Sequence, residues 1–316
     1  MTANRSVNAA LMKQSRFNIV KKDFRLNWSL YLLVLPVLAF YIIFCYKPMY
    51  GIIIAFENYS PAMGFTKSPW VGLTHFKNFF GSYFFWRLIR NTLVISFANL
   101  IFAFPSSIIL ALMMNEVRCL ALKKSIQTIT YMPHFVSMVV VCGLIVQFTK
   151  DTGFINDIIA FFGGERVSLL TKPEWFVPIY TVSGIWQGVG WGSIIYMSAI
   201  AGIDQEQYEA ARIDGAGRFA QIFYITLPSI MPTIVIMLIL QIGSMMNVGY
   251  EKIILLQNSL NMETSDIISS YVYRAGLQDF NWSFSTAVGL FNSVINVILL
   301  VTANQISKKV NDTSLW

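Results

Sequence analysis

The most distinctive pattern of residue types and spacing in the chain lies between two apolar stretches, at positions 204–228. An acid precedes two alanines, a glycine follows four residues later, and an apolar group ends in proline: Glu209, Ala210, Ala211, Gly215, Ile225, Leu227 and Pro228. This group holds no paired acids and no nucleophile beside a base, so it does not suit catalysis. It suits a short exposed helix whose acid and shallow alanine face contact another protein.

The chemistry of this loop predicts a short helical hairpin. Asp204, with Gln207 three residues later, resembles a capping box and predicts a helix over 205–213. Gly215 and Gly217 suit the end of that helix, where a residue able to adopt positive φ is required.

A second helix is predicted over 219–225, and Pro228 suits the first turn of the helix that follows. Helix formation and capping alone would explain the first half of the pattern. They would not require Ile225 and Leu227 at their positions, so a mere connector is the weaker interpretation.

The composition predicts a membrane protein. The 316 residues are 55% hydrophobic and 12% charged, with a mean hydropathy of +0.57, whereas soluble proteins are about 25% charged. Six uncharged runs reach the length that a bilayer core requires: 26–46, 91–115, 125–149, 175–203, 219–250 and 280–307. We therefore predict an all-α integral membrane fold with tails at 1–28 and 308–316 and a permeation domain at 29–307. Its spans are predicted at about 29–46, 91–114, 127–149, 176–201, 227–247 and 284–306.

The distribution of Lys and Arg predicts that both termini are cytoplasmic. Basic residues are frequent in the N-terminal tail, in the loop after the second predicted span and directly after the sixth. The first outer loop also carries Lys and Arg, but long loops count for less in this rule. The net charge of +7 then reflects topology and attraction to lipid headgroups, and no nucleic-acid partner is expected.

The loop pattern resembles the EAA motif of permease subunits from binding-protein-dependent ABC importers. The segments "YKPMYGIIIAFENY" and "SPWVGLTHFKNFF" resemble the LplB-like carbohydrate permeases, which are related to maltose permeases. The resemblance covers roughly residues 25–310. It implies the type I ABC importer permease fold, with six spans, in a bacterial plasma membrane.

The resemblance also implies partners and a mechanism. A second homologous permease, two ATPase subunits and an extracytoplasmic solute-binding protein would complete the importer of an oligosaccharide. ATP and Mg would be bound by the ATPases, with no cofactor on this chain. The helix at 205–213 would be the coupling helix that docks on an ATPase, with Glu209 paired to a basic residue there.

Polar and aromatic residues inside the predicted spans are candidates for contact with the solute, because they are unfavourable in lipid unless they face a cavity or another helix. In maltose-type relatives, some positions contact the sugar. Counted from the loop motif, these positions correspond to Gly184, Gln187 and Gly188, and to residues near 241–248. The full candidate set is Gly184, Trp186, Gln187, Gly188, Gln241, Ser244, Met245, Asn247, Asn292 and Asn296. Helix packing is the alternative role for each of these residues.

Other classes of function receive little support from the sequence. The two histidines and three cysteines form no metal or nucleophile pattern, and His134 is interpreted as structural. The sequence has no glycine-rich phosphate loop, so we expect ATP to be bound elsewhere. An importer of amino acids, peptides or ions is the main alternative. An intramembrane enzyme or a channel would need acids, histidines or a filter ring within the spans.

Overall fold

The computed structural model describes residues 18–19, 21–311 and 313–316, so most of the predicted tail at 1–28 lies outside the described residues. Within the described residues the protein is helical, and the only β-pairing is an isolated bridge between Glu57 and Trp70. The α-helices are Trp28–Phe40, Lys47–Met49, Gly64–Lys67, Thr74–Phe80, Phe85–Ala98, Phe104–Glu116, Leu120–Tyr131, Met138–Thr149, Phe154–Phe161, Pro173–Ala201, Gln205–Ile213, Arg218–Gln221, Leu227–Gly243, Tyr250–Leu256, Met262–Ser265, Ile268–Tyr273 and Trp282–Asn311. Short 3-10 turns lie at Tyr50–Phe56, Met132–Phe135 and Leu169–Thr171, and π turns at Tyr41–Tyr46, Asn99–Ala103, Ile222–Thr226 and Arg274–Gln278.

Six long helical stretches correspond to the six predicted spans, and five of them are long and apolar enough to cross a membrane. We label the six stretches α1 (Trp28–Phe56), α2 (Phe85–Glu116), α3 (Met138–Phe161, interrupted by a turn at 150–153), α4 (Pro173–Ala201), α5 (Arg218–Gly243) and α6 (Trp282–Asn311). The exception is α4, which has 29 residues but carries glycines, serines and a glutamine that lower its hydropathy. Its role as the fourth span stays a prediction.

The third predicted span, 127–149, is not one helix in the structure. A helix ends at Tyr131, a 3-10 turn with buried Pro133 follows, and α3 begins at Met138. Proline cannot donate to the helix ladder, and the Ser137 hydroxyl accepts from the Val140 amide at 3.4 Å, which starts a new helix. His134 lies in this break and stacks on Trp191 of α4, with 4.6 Å between ring centroids. This contact agrees with a structural role.

The chain divides into two compact units, residues 1–54 and 55–316, and the candidate site lies wholly in the second. In that unit α4 packs against α2 and α5 packs against α6. Gly190 allows the close approach of α4 to the helix at Leu120–Tyr131, because a β-carbon at Gly190 would overlap the carbonyl oxygen of Thr130. The helices that carry the site are therefore fixed by direct backbone contact as well as by apolar side chains.

An ion cluster ties the segment between α5 and α6 to the start of α2. Asp266 is fully buried, and its carboxylate accepts from Arg87 at 2.9 Å and from Arg274 at 2.7 Å. The amide of Asn91 donates to the Asp266 carbonyl at 2.9 Å, and the Ser270 hydroxyl donates to its carboxylate at 3.1 Å. A charge that is paired and fully hydrogen-bonded in this way specifies one position for the segment.

Candidate functional site: an exposed loop helix and two polar cavities

The loop helix has the bounds that its sequence predicts, Gln205–Ile213, but its first turn is capped differently. The Asp204 carboxylate accepts from the Glu206 amide at 3.0 Å. Gln207 donates its backbone amide to the Asp204 carbonyl at 3.3 Å, and the structure records no reciprocal side-chain bond of a capping box. Because a single aspartate cap satisfies the first turn, the predicted box is not needed.

Gly215 terminates the loop helix, as predicted: it lies two residues after Ile213 and has a φ of +79°. The Ala216 amide then bonds back to the Ala211 carbonyl at 2.8 Å, which closes the final turn. The prediction for Gly217 was wrong, because its φ of −71° and ψ of 171° are extended values open to any residue. Gly217 instead immediately precedes the next helix.

The second helix of the hairpin is not separate from the span that follows. It begins at Arg218 and continues through the π turn Ile222–Thr226 into Leu227–Gly243, so that α5 is one stretch of 26 residues. The α-helical part of this stretch begins at Leu227, as predicted, with Pro228 in its first turn, but no break separates it from the second helix of the hairpin. The wider π turn keeps the helix continuous ahead of Pro228, which supplies no backbone donor.

One buried tyrosine attaches the loop helix to α5. The Tyr208 hydroxyl lies 2.9 Å from the Thr226 hydroxyl, and both side chains are buried. The ring of Tyr208 belongs to the same apolar cluster as Tyr196 and Ile230. A force on the loop helix is therefore carried directly into α4 and α5, since close-packed side chains deform little.

The opposite face of the loop is exposed and partly apolar. Glu209 and Ala210 are exposed, and Ile213, Phe219 and Tyr224 are 86%, 79% and 82% exposed. Apolar side chains so exposed next to a charged helix are available to contact another protein or the lipid surface. The sequence analysis did not single out these three residues, although large apolar residues around a polar, glycine-containing loop were a usable signal.

The seven residues of the loop pattern have two different roles by position. Ile225 is half-buried and packs against the cluster that holds Tyr208, while Leu227 is half-buried in α5. They anchor the hairpin and lie away from the exposed face. Glu209, Ala210 and Gly215 are exposed on the hairpin, Ala211 is half-buried, and Pro228 is exposed in the first turn of Leu227–Gly243.

A cavity of about 220 Å³ lies between α2, α4 and α5, and we call it polar for the amide and hydroxyl groups of Asn99, Ser107 and Gln241 within its otherwise mostly apolar lining. Gly184 and Gly188 from α4 and Gln241 from α5 line it, and thus three of the predicted pathway residues come together. A smaller cavity of about 90 Å³ adjoins it and is lined by Gln241, Ser244, Met245 and Asn247. Asn99, which is not among the predicted pathway residues, lines both cavities as well. Its position at the start of a π turn in α2 could not be foreseen from composition.

The remaining predicted pathway residues lie elsewhere. Trp186 lines an apolar cavity of about 590 Å³ between α3 and α4, and Gln187 is half-buried outside both polar cavities. Asn292 lines a fourth cavity, of about 380 Å³, and its amide donates to Asn247 at 2.8 Å. Asn296 is buried and accepts from the Met246 amide at 3.0 Å, which is a packing contact between α6 and the end of α5.

Gln241 is the predicted pathway residue common to both polar cavities, and its substitution tests them. We expect Gln241→Ala to lower solute transport about tenfold, because an amide that binds hydroxyl groups contributes about 1.5 kcal/mol. Gln187→Ala is the matched control, with the same chemical change outside both walls and a smaller expected loss. Equal losses of proteoliposome uptake in Gln241→Ala and Gln187→Ala would show that the solute does not pass through these cavities.

A capped, exposed loop helix and cavities between long apolar helices together suit a membrane transport subunit. The chain belongs to the family described as binding-protein-dependent transport system inner membrane components, whose model matches residues 103–312. It is therefore a transport permease subunit of an inner membrane and not an enzyme.

Named relatives and solved structures agree with this membership. The chain is 50% identical to the protein LplB of Bacillus subtilis over 94% of this chain and 92% of the relative. It is 46% identical to the polygalacturonan/rhamnogalacturonan transport system permease protein YteP of the same species, over 91% and 90%. A crystal structure of a bacterial ABC transporter involved in the import of the acidic polysaccharide alginate has a chain that is 43% identical, with a TM-score of 0.85 over 92% of this chain and 99% of that one. A second structure of the alginate transporter, with a periplasmic protein bound to alginate pentasaccharide, matches equally well.

Proposed function

We propose that the chain is one of two membrane subunits of an ATP-driven importer of oligosaccharides, acidic ones included. The observation that carries this proposal is the alginate importer chain, which shares 43% of its residues and almost its whole length with this protein. The names of the relatives favour glycans over amino acids, peptides or ions. Amide and hydroxyl groups around the two polar cavities are the groups that bind sugar hydroxyls.

The importer would contain a second homologous permease, two ATPase subunits that bind ATP and Mg, and an extracytoplasmic solute-binding protein. Both termini and the loop helix would face the cytoplasm, where the ATPases lie. Closure of the ATPases on ATP would move the loop helix, and the contact of Tyr208 with Thr226 would transmit that movement to α5. The lipid bilayer surrounds the helices.

Transport by the reconstituted complex tests this function. The chain, its partner permease and the ATPase are placed in proteoliposomes, the binding protein is added outside, and labelled oligosaccharides are measured inside. We expect accumulation of an oligosaccharide that requires both ATP and the binding protein. Accumulation of an amino acid or peptide but no glycan would contradict the proposed cargo.

A further inference from the structure

Lys252 is a buried cation without an acidic partner. It lies in the helix Tyr250–Leu256, which follows α5, and only 5% of the residue is exposed. Its ammonium donates to the Tyr180 carbonyl at 3.0 Å and lies 4.6 Å from the centroid of the Tyr180 ring. Among the described residues no Asp or Glu forms an ion pair with it. An ammonium has three donors, so this one retains capacity for a further acceptor.

An unpaired buried charge destabilises the folded state. Its presence therefore calls for a role other than stability. Burial lowers the pKa of Lys252 to about 8, so the side chain stays mainly protonated near neutral pH. A methionine of similar length would fill the same space without this desolvation. Ionisable groups kept in such positions are more often found at ligand and ion pathways than in plain packing.

The ammonium lies close to one residue in the wall of the larger polar cavity. A β-carbon at Gly184 would be 3.5 Å from Nζ of Lys252, and Gly184 lines that cavity together with Gln241. Since glycine has no side chain, no side chain at this position separates the ammonium from the cavity. The charge therefore acts at short range, in a surrounding of low dielectric, on whatever occupies the cavity.

We propose that Lys252 is the cation that recognises the carboxylates of an acidic oligosaccharide as it passes Gly184. This inference rests on the proposed function and narrows its cargo to glycans that contain uronate residues. Each carboxylate that enters the cavity approaches an ammonium that forms no ion pair with any described residue. The hydrogen bond to the Tyr180 carbonyl holds this ammonium in place. Amide groups such as Gln241 would bind the hydroxyl groups of the same sugar.

The test compares a galacturonate tetramer with its methyl ester, which has the same size and hydroxyl groups but no charge. Uptake by the reconstituted complex is expressed for each substrate relative to the wild type, so that the preference of the binding protein cancels. We expect Lys252→Met to lower uptake of the acid about tenfold more than uptake of the ester. Lys252→Arg, which keeps the charge, should retain the larger part of the uptake of the acid.

A second pair of variants leaves Lys252 in place. Gly184→Ala adds a methyl group at the cavity wall, 3.5 Å from the ammonium, whereas a β-carbon at Gly188 in the same cavity meets nothing within 4 Å. We expect Gly184→Ala to reduce uptake of the acid more than that of the ester, and Gly188→Ala to affect both alike. This pair keeps the proposal testable if Lys252→Met fails to fold.

The outcomes separate this inference from the function on which it rests. Equal changes of acid and ester in Lys252→Met and in Gly184→Ala would assign Lys252 a purely structural role and overturn the proposal. If the wild type carries only the acid, unchanged uptake in a folded Lys252→Met protein would overturn it. Wild-type uptake of neutral glycans but of no uronate would also overturn it while leaving the oligosaccharide importer intact. Uptake of no glycan at all would remove the proposed function itself.

Discussion

Glu209→Lys is expected to abolish most transport while the protein still inserts into the membrane. Glu209 is exposed on the loop helix, so the substitution disturbs no internal contact recorded in the described residues. If Glu209 pairs with a basic residue of the ATPase, reversal of its charge places two like charges together. We expect the affinity for the ATPase to fall about 100-fold, which corresponds to about 2.7 kcal/mol. The measurement is ATPase retention by the purified permease pair as a function of ATPase concentration.

Glu165→Lys is the matched control for this variant. It makes the same change of charge at an exposed position in the loop between α3 and α4, which is predicted to lie on the outer side. We expect its ATPase affinity and transport to stay near those of the wild type. If Glu209→Lys retained the ATPase as well as this control does, Glu209 would have no part in docking.

Asp266→Ala is expected to destabilise the protein by about 3–5 kcal/mol. The variant removes the buried carboxylate that Arg87 and Arg274 share, and it leaves two guanidinium groups without their acid. Arg87 lies in the first turn of α2, and Asp266 lies between α5 and α6. Their contact therefore joins distant parts of the chain. The measurement is the free energy of unfolding in mixed micelles titrated with a denaturing detergent.

An exposed ion pair provides the comparison for Asp266. Asp157 contacts Arg166 at 2.6 Å, but their side chains are 57% and 46% exposed. Asp157→Ala should cost only about 0–1 kcal/mol, since water replaces the lost partner. A loss of stability in Asp266→Ala no greater than in Asp157→Ala would show that the buried cluster does not hold the segment between α5 and α6.

The loop helix and most long helices could be predicted from the sequence because each depends on local signals. Uncharged runs of span length and a cap at Asp204 with a glycine at Gly215 act within a few residues of each other. The bounds Gln205–Ile213 and the α-helix start at Leu227 agree with the prediction, whereas the continuity of that α-helix with the second helix of the hairpin does not. A π turn leaves no clear signature in composition, so its continuity through residues 222–226 was not foreseen.

The polar contacts between distant segments could not be predicted. Lys252 follows Tyr250 and Glu251 in a segment that suggests an ordinary outer loop, and only the fold brings its ammonium to Tyr180. The pairing of Asp266 with Arg87 likewise joins residues 179 positions apart. Such contacts depend on which helices are neighbours in the fold. Local patterns in a single sequence do not give that information.

The accessibility of the loop helix within the assembled complex tests the central claim most directly. Ala210→Cys is introduced after Cys45, Cys119 and Cys142 are replaced, and labelling by a charged maleimide is timed for the chain alone and for the complex with its ATPase. Ala210 is exposed in the chain, so rapid labelling is expected there. The account predicts strong protection in the complex, with a Glu165→Cys control unchanged. Equally rapid labelling of Ala210→Cys in both would contradict the claim that the ATPase acts through this helix.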